Sequence, residues 1–219
     1  MTRTITVKGV GTATVKPDYV VLTLSVEAQN TDYNSAMQKA AYQIERLQAA
    51  IMGIGYEKSD LKTTSFDVRS AYENQKDRYG NYKSVFAGYA CSYRLSLSFD
   101  FDNTRLSETL TTIATCEANP ELRIAFTVKN PAEVSEALLR SATENAKKKA
   151  EILCSASGAT LGELLTIDYN WGEIDVVSRT QYDVDECMPM MAMAEARMPD
   201  IEPDNINASD TATFIWAIS

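Results

Sequence analysis

The sequence predicts an α+β fold, with a mixed or mostly antiparallel sheet and three helices packed on one face. Its strand-like segments alternate apolar and polar residues, as in sheets that bury only one face. Three segments with helical apolar spacing interrupt these strands. The predicted order is β-β-α-β-β-α-β-α-β-β. An acidic insertion at about 173–203 precedes the last strand, and residues 1–219 are expected to form a single domain.

Each predicted element follows from its apolar spacing and from the turn residues at its ends. Period-two alternation marks strands, apolar residues three or four apart mark helices, and Gly, Pro and Asn separate them. The predicted strands are residues 4–15, 20–26, 66–72, 89–101, 122–128, 165–171 and 212–218, and the predicted helices are residues 30–52, a short helix between 103 and 119, and residues 131–157.

Local signals predict how these elements begin and pair. Lys16-Pro17-Asp18 is turn chemistry, so the first two strands are expected to form a hairpin. Asn30 or Thr31 is expected to cap the first helix. Asn130-Pro131 opens the longest helix, because proline suits the first helical turn. This helix is predicted to end at Gly158 and to bury Val134, Leu138, Ala142, Ala146 and Leu153.

Composition excludes several classes of function. The chain has 219 residues, four cysteines without a Cys-x-x-Cys pair, and no histidine. Without histidine, Ser-His-Asp and Cys-His nucleophile systems and histidine zinc sites are absent. The cysteine spacing argues against structural zinc, so buried, reduced thiols are expected. No catalytic residue and no cofactor is predicted, and we do not expect an enzyme.

Charge and hydropathy limit the partners and the location. The net charge is −9, concentrated in residues 173–210, and no basic surface is predicted for nucleic acid or anionic membranes. No apolar run approaches the roughly 18 residues that a membrane span needs. The chain as written enters a strand directly, so we expect a cytoplasmic protein. The alternative is an exported or envelope-associated protein whose signal peptide was removed.

The segment 187–199, CMPMMAMAEARMP, holds one cysteine and five of the chain's eight methionines. Thioethers and a thiolate suit soft metals such as Cu(I), and they can also buffer oxidants. The soft-metal candidates are Cys187, Met188, Met190, Met191 and Met193. Two observations argue against a soft-metal site: the chain has no histidine that could act as a further ligand, and the methionine motif is not repeated. Residues 190–198 favour a helix that is too short to be stable alone. We therefore expect this segment to contact a neighbouring subunit or another protein.

Two other features allow weaker hypotheses. Gly9-Val10-Gly11 lies inside a strand, which indicates a bulge or a close backbone approach rather than a dinucleotide-binding turn. Tyr79, Tyr82 and Phe86, in and beside a polar hairpin loop, are a second candidate contact surface, or a local aromatic cluster that closes the hairpin.

A carboxylate-based hydrolase is the lowest-ranked hypothesis. Asp67, Asp100 and Asp102 offer acidic pairs, and hydrolysis of a glycosidic bond needs two carboxyl groups at a fixed separation. Alternation places Asp67 and Asp100 on the solvent side of their strands, where solubilising charges are common.

Short motifs along nearly the whole chain resemble the SIMPL-domain family, a family of unknown function. Its V-x-G-x-G and P-D signature is similar to residues 7–11 and 15–18, and Gly88-Tyr89 resembles its G-Y motif. The spaced alanines and lysine of its helix match Arg140, Ala142, Ala146, Lys149, Ala150 and Leu153, followed by Gly158 and Leu161-Gly162. Residues 201–203 resemble its I-x-P-G motif, although Asp204-Asn205 stands where a glycine and an acid are usual.

The resemblance implies contact functions rather than chemistry. Described members include bacterial envelope proteins linked to oxidative-stress tolerance, a periplasmic immunogen that assembles into rings, and a mammalian protein that binds a signalling kinase. No catalytic residue can be carried over. The leading hypothesis is a non-catalytic protein that acts through self-assembly, as a homo-oligomer, and through protein contacts, with a stress-related role implied by the family.

Overall fold

The computed structural model describes residues 3–76, 81–169, 176–184 and 201–219, and contains eight strands and three helices in this part of the chain. The strands are β1 (Arg3–Val15), β2 (Tyr19–Asn30), β3 (Leu61–Lys76), β4 (Tyr82–Asp100), β5 (Glu121–Thr127), β6 (Leu161–Tyr169), β7 (Val177–Val184) and β8 (Ile206–Ile218), and the helices are α1 (Tyr33–Gly53), α2 (Asn103–Thr115) and α3 (Pro131–Ser157).

The α+β class and the order of the predicted elements are confirmed. One additional strand, β7, lies at the start of the segment in which the sequence shows no clear periodicity. The strands divide between a three-stranded sheet of order β1-β8-β6 and a five-stranded sheet of order β3-β4-β2-β5-β7. The pairs β1–β8, β6–β8, β2–β4 and β3–β4 are antiparallel.

The described residues fall into two compact units. Unit 1 lies within Met1–Asp18, Phe126–Thr180 and Pro203–Ser219, and unit 2 within Tyr19–Ala125 and Gln181–Glu202. Unit 1 contains β1, β6, β8 and α3, whereas unit 2 contains β2, β3, β4, α1 and α2. The single-domain organisation expected from the sequence stays a prediction.

In unit 1, helix α3 packs against β1 and β8 through small residues. Ala142, Ala146 and Ala150 recur every fourth position and are buried, so they share one face of the helix. Ala146 and Ala150 form a cluster with Phe214 and Trp216 of β8 and with Val7 of β1. Because alanine is short, this face lets the helix axis approach the sheet closely.

The glycines of β1 make this approach possible. A methyl group at Gly9 would overlap the carbonyl oxygen of Ala142, and one at Gly11 would overlap that of Leu138. The prediction of a close backbone approach at Gly9-Val10-Gly11 is therefore confirmed. At these glycines the strand lies directly against the backbone of α3, and at Gly9 also against the Ala146 side chain.

Helix α3 also covers the edge of β1 that does not pair with β8. Ser141 Oγ accepts a hydrogen bond from Thr12 N at 3.3 Å, and Asn145 Oδ1 accepts one from Val10 N at 3.0 Å. Lys149 Nζ donates to the carbonyl oxygen of Lys8 at 3.1 Å. The three side chains are four residues apart and thus lie in one row along the helix. They satisfy backbone groups that an edge strand otherwise leaves unpaired.

In unit 2, α1 covers the apolar face of β2 and β4. Val20, Leu22, Leu24, Val26 and Ala28 of β2 are all buried, as expected for one face of an alternating strand. Ala40 of α1 packs with Ala28 and with Cys91 of β4. Asp102 is the N-cap of α2, and its carboxylate accepts a hydrogen bond from Arg105 N at 2.8 Å.

The predicted hairpin of β1 and β2 is wrong. β1 pairs with β8 along its whole length, and β2 pairs with β4. Lys16-Pro17-Asp18 connects the two sheets instead of turning one strand back on the other. Asp18 fixes this connection, because its backbone N donates to Thr127 O at 3.1 Å and its carboxylate accepts from Lys129 N at 2.8 Å.

Two local predictions also need correction. Asp32, rather than Asn30 or Thr31, caps α1, because its carboxylate accepts a hydrogen bond from Ser35 N at 2.8 Å. That bond lowers the pKa of Asp32. In α3, Leu153 is exposed and the neighbouring Cys154 is buried. Asn130 precedes α3 and Gly158 ends it, at φ +73°, as predicted.

Substitution of Gly9 or Gly11 by alanine should destabilise the protein by about 1 to 3 kcal/mol or more, because the methyl group would push α3 away from β1. The matched control is Gly53→Ala, at the end of α1, where a methyl group meets no atom within 4 Å. Urea unfolding followed by circular dichroism measures the difference. Equal midpoints for Gly9→Ala and Gly53→Ala would contradict the proposed role of the close contact.

Candidate contact surface

The β3–β4 hairpin extends beyond the sheet as a two-stranded arm. β2 ends at Asn30, which pairs with Tyr89 of β4. Beyond that point residues 72–76 of β3 pair with residues 82–86 of β4, and β2 no longer accompanies them. We call these two paired segments the arm. A two-stranded ribbon has little stability of its own in water, so an arm of this kind gains from contact with another surface.

The arm leaves the sheet at a glycine and a bulge. Gly88 has φ +130°, and a methyl group there would overlap the carbonyl oxygen of Asn30. The pairing shifts between Ala71–Gly88 and Tyr72–Phe86, so Ala87 is an extra residue in β4. Bulges bend a strand and increase its twist. Gly88 of the Gly88-Tyr89 motif thus has a geometric role at the base of the arm.

Aromatic side chains lie along one face of the arm. Tyr72 and Phe86 are directly paired across the strands, and their ring centroids are 5.8 Å apart. Phe86 also contacts Tyr89 at 5.4 Å, and Tyr89 contacts Tyr33 of α1 at 5.5 Å. Tyr82 lies nearer the tip, with Lys76 Nζ 5.3 Å from its ring centroid. The aromatic face therefore continues from the helix-covered sheet to the described end of the arm.

These rings remain accessible although they touch one another. The exposed fractions are 63% for Tyr72, 69% for Tyr82 and 49% for Phe86. Exposed aromatic side chains that cluster on one face are typical of contact surfaces. Tyr82 and Phe86 were candidates from the sequence. Phe86 belongs to a local aromatic cluster and is also exposed, and its role in a contact surface stays a prediction. Tyr72 was missed because the sequence does not give the register that places it opposite Phe86.

A second apolar surface lies in unit 1 on β6, the edge strand of the three-stranded sheet. Leu164, Leu165 and Ile167 are exposed there. The pairing of β6 with β8 shifts register twice, between Leu161 and Leu164 and between Leu164 and Thr166. Such irregularities protect an edge against the addition of another strand. The arm is the better candidate for a contact.

The soft-metal candidates Cys187, Met188, Met190, Met191 and Met193 lie outside the described residues, and so does Tyr79. Across the described ranges, no group of three or more His, Cys, Asp or Glu side chains is placed to hold a metal ion. The soft-metal and oxidant-buffer hypothesis for the methionine segment stays a prediction.

The carboxylates considered for hydrolysis do not form a pair. Asp67 is opposite Ser92 of β4, whereas Asp100 is the last residue of that strand. The eight residue-to-residue steps from Ser92 to Asp100 span about 26 Å of extended chain, far more than the roughly 5 to 10 Å that separates the carboxyl groups of glycosidases. Asp102 is committed to capping α2.

Three cysteines in the described part of the chain are free thiols. Cys91 and Cys154 are buried, and the Cys91 thiol donates to the Met37 sulfur at 3.6 Å. Burial raises the pKa of Cys91, with a further contribution from the charge of Asp67. Burial likewise raises the pKa of Cys116. A raised pKa leaves less thiolate at neutral pH and lowers reactivity.

The described helices include none that is both long enough and apolar enough to cross a bilayer. The fold and the exposed surfaces so far define an α+β protein with an aromatic arm. The chain belongs to the SIMPL family, whose model, described as a protein of unknown function (DUF541), matches residues 5–216. The resemblance seen in the sequence motifs is confirmed.

Two relatives are similar over 163 residues, or 74% of this chain. Both are named 26 kDa periplasmic immunogenic protein. The one from Brucella abortus (strain S19) is 27% identical, and the one from Brucella melitensis biotype 1 is 26% identical. The match spans 65% of the length of each relative.

Among solved structures, the regulatory subunit of aspartate kinase from Thermus flavus aligns with 97% of this chain and 90% of its own. The sequence identity is 9% and the TM-score is 0.16.

The buried thiols should react slowly with a cysteine reagent. We expect Cys91 and Cys154 to be alkylated by iodoacetamide at pH 8 much more slowly in the native protein than in urea, because both side chains are buried and Cys91 has a raised pKa. Mass spectrometry of the labelled peptides gives each rate, with the half-buried Cys116 as an internal comparison. Native labelling of Cys91 at the rate seen in urea would contradict the burial described.

Proposed function

We propose that this protein is a non-catalytic SIMPL-family protein that works through self-assembly and protein contacts. The observation that carries the proposal is the arm, a two-stranded extension with three exposed aromatic side chains. A stress-related role belongs to the proposal through the family resemblance alone.

The first partner proposed for the arm is a second copy of this chain. Tyr72, Tyr82 and Phe86 share one face of the ribbon with Asn74, Ser84 and Lys76, as the pairing register requires. No acidic residue lies on this face among residues 72–76 and 82–86, because Glu73 points to the opposite side. Two copies related by a two-fold axis can therefore stack aromatic faces without opposing like carboxylates.

The edge position of β3 supports the same proposal. β3 is 16 residues long and is the outermost strand of its sheet. Its pairing shifts are confined to Thr63/Ser65 and Ala71/Tyr72, so the arm itself is a regular ladder. Regular, exposed edges accept additional strands from another chain.

We also propose that the protein acts outside the cytoplasm. Both relatives carry periplasmic in their names, which favours the exported alternative over the cytoplasmic location first expected. The reduced state of Cys91 and Cys154 is compatible with either place, because each thiol is buried away from oxidants.

Replacing Tyr72, Tyr82 and Phe86 together by threonine should lower the oligomer population, because the aromatic contact area is lost while the strand preference is kept. Sedimentation velocity at about 50 µM, where weak interfaces are populated, measures this. Tyr42→Gln, on the exposed face of α1, is the control and should leave the distribution unchanged. A wild-type protein that sediments as a monomer would defeat the proposal.

Deleting residues 187–198 tests the contribution expected of the methionine segment. If this segment contacts a neighbouring subunit, the deletion should also reduce the oligomer, while the free energy of unfolding in urea stays within about 1 kcal/mol of that of wild type. If the oligomer is unaffected, the arm is sufficient and the contact role predicted for the segment is wrong. A large loss of stability would instead indicate that the segment packs within its own chain.

A further inference from the structure

The open face of the five-stranded sheet in unit 2 carries a polar groove separate from the arm. Its volume is about 350 Å³, and it is lined by side chains of β2, β3 and β4 and by residues at the start of β5. Volumes of about 300 to 1,000 Å³ are usual for small-molecule sites. The apolar residues of β2 and β4 face α1, so the lining residues that alternate with them point to the other side of the sheet.

One row of the groove is cationic. Arg94 of β4 is opposite Ser25 of β2 on one side and opposite Ser65 of β3 on the other. Directly paired residues lie on the same face, with Cβ atoms about 5 Å apart. The Arg94 side chain is exposed, and its guanidinium forms no ion pair or hydrogen bond with any residue in the described ranges. A guanidinium between two hydroxyl groups is suited to a carboxylate.

The adjacent row is anionic. Two residues further along the sheet, Ser92 of β4 is opposite Asp67 of β3 and Glu27 of β2. Glu27 is already engaged, because its carboxylate accepts from Arg69 at 3.0 Å and from Ser92 Oγ at 3.1 Å. The carboxylate of Asp67 has no hydrogen bond or ion pair within the described residues. Asp67 is thus available to a cation of the ligand.

The distance between the two rows determines how long a ligand must be to contact both of them. Rows two residues apart along a strand are separated by about 6.6 to 6.8 Å. An extended peptide of two residues spans at most about 7 Å. A free amino acid is too short to reach both rows, and a tripeptide is too long unless it bends.

We propose that this groove binds a dipeptide-sized zwitterion, with its carboxylate on Arg94 between Ser25 and Ser65 and its ammonium group on Asp67. The binding surface consists of opposite charges on adjacent rows of the sheet, and neither charge has an ion-pair partner among the described residues. It uses neither the aromatic arm nor the methionine segment, so it stands independently of the proposed assembly.

The test is an NMR titration of the intact, ¹⁵N-labelled protein with L-alanine, L-alanyl-L-alanine and L-alanyl-L-alanyl-L-alanine. We expect the dipeptide to bind at least about threefold more tightly than the other two, at millimolar concentration. The amide signals that shift should be those of Ser25, Ser65, Ser92 and Arg94. Equal affinity for all three probes, or no shift of these signals at about 20 mM dipeptide, would overturn the proposal.

Substitutions in each row test which end of the dipeptide that row binds. Arg94→Gln and Asp67→Asn should each weaken dipeptide binding at least about threefold, as expected for loss of one exposed charge-assisted contact. Acetate tests the cationic row alone and should bind more weakly than the dipeptide. The control is Arg140→Gln, which removes an exposed arginine of α3 paired with Glu136 and should not change binding.

Both groove substitutions are at exposed positions, and unchanged urea midpoints would confirm that each variant is folded. Acetate that binds as tightly as the dipeptide would show a simple anion site and refute the zwitterion. Unchanged dipeptide affinity in either folded groove variant would equally refute the assignment.

Discussion

The close contact between β1 and α3 is the constraint on which unit 1 depends. Gly9 and Gly11 let the strand backbone meet the helix backbone, and the alanines of α3 keep the helix face flat enough for this approach. The same short distance brings a row of polar helix side chains within hydrogen-bond range of the open edge of β1. The packing of α3 and the protection of the β1 edge therefore both depend on the short distance between strand and helix. Glycine normally weakens a strand, and this double function explains why two of them lie here.

In unit 2, Gly88 also allows a close approach of two backbones, but here the approach lies at the base of the arm. Its positive φ and its contact with Asn30 place β4 where β2 ends, and the bulge at Ala87 then directs the chain into the arm. The glycines of the recognised motifs are thus explained by backbone geometry. Motifs of this kind identify a fold, since the fold needs them, but they carry little information about chemistry. For this reason the family resemblance predicted the architecture well, whereas the proposed function had to be inferred from the exposed surfaces.

The two exposed surfaces of unit 2 have opposite chemistry because they arise in different ways. On the sheet, α1 buries the apolar residues of β2 and β4, so mostly polar side chains remain for the other face, and the register places charged ones among them in adjacent rows. On the arm, none of the described helices covers the aromatic face, and Tyr72, Tyr82 and Phe86 are exposed. An apolar surface favours contact with protein, whereas a polar groove favours a small charged ligand.

Alternation and helical spacing determined most of the strands, all three helices and the residues that face inward, because side-chain direction follows local backbone periodicity. Tertiary structure decided which strands pair with one another. Alternation does not say which strand lies alongside, so β1 was assigned to β2. In the structure β1 pairs with β8, and its glycines allow the close approach of α3. Tyr82 and Phe86 were visible in the sequence as a local aromatic group, but Tyr72 joined them only through cross-strand pairing. The rows of Arg94 and Asp67 likewise exist only once β2, β3 and β4 are placed in register.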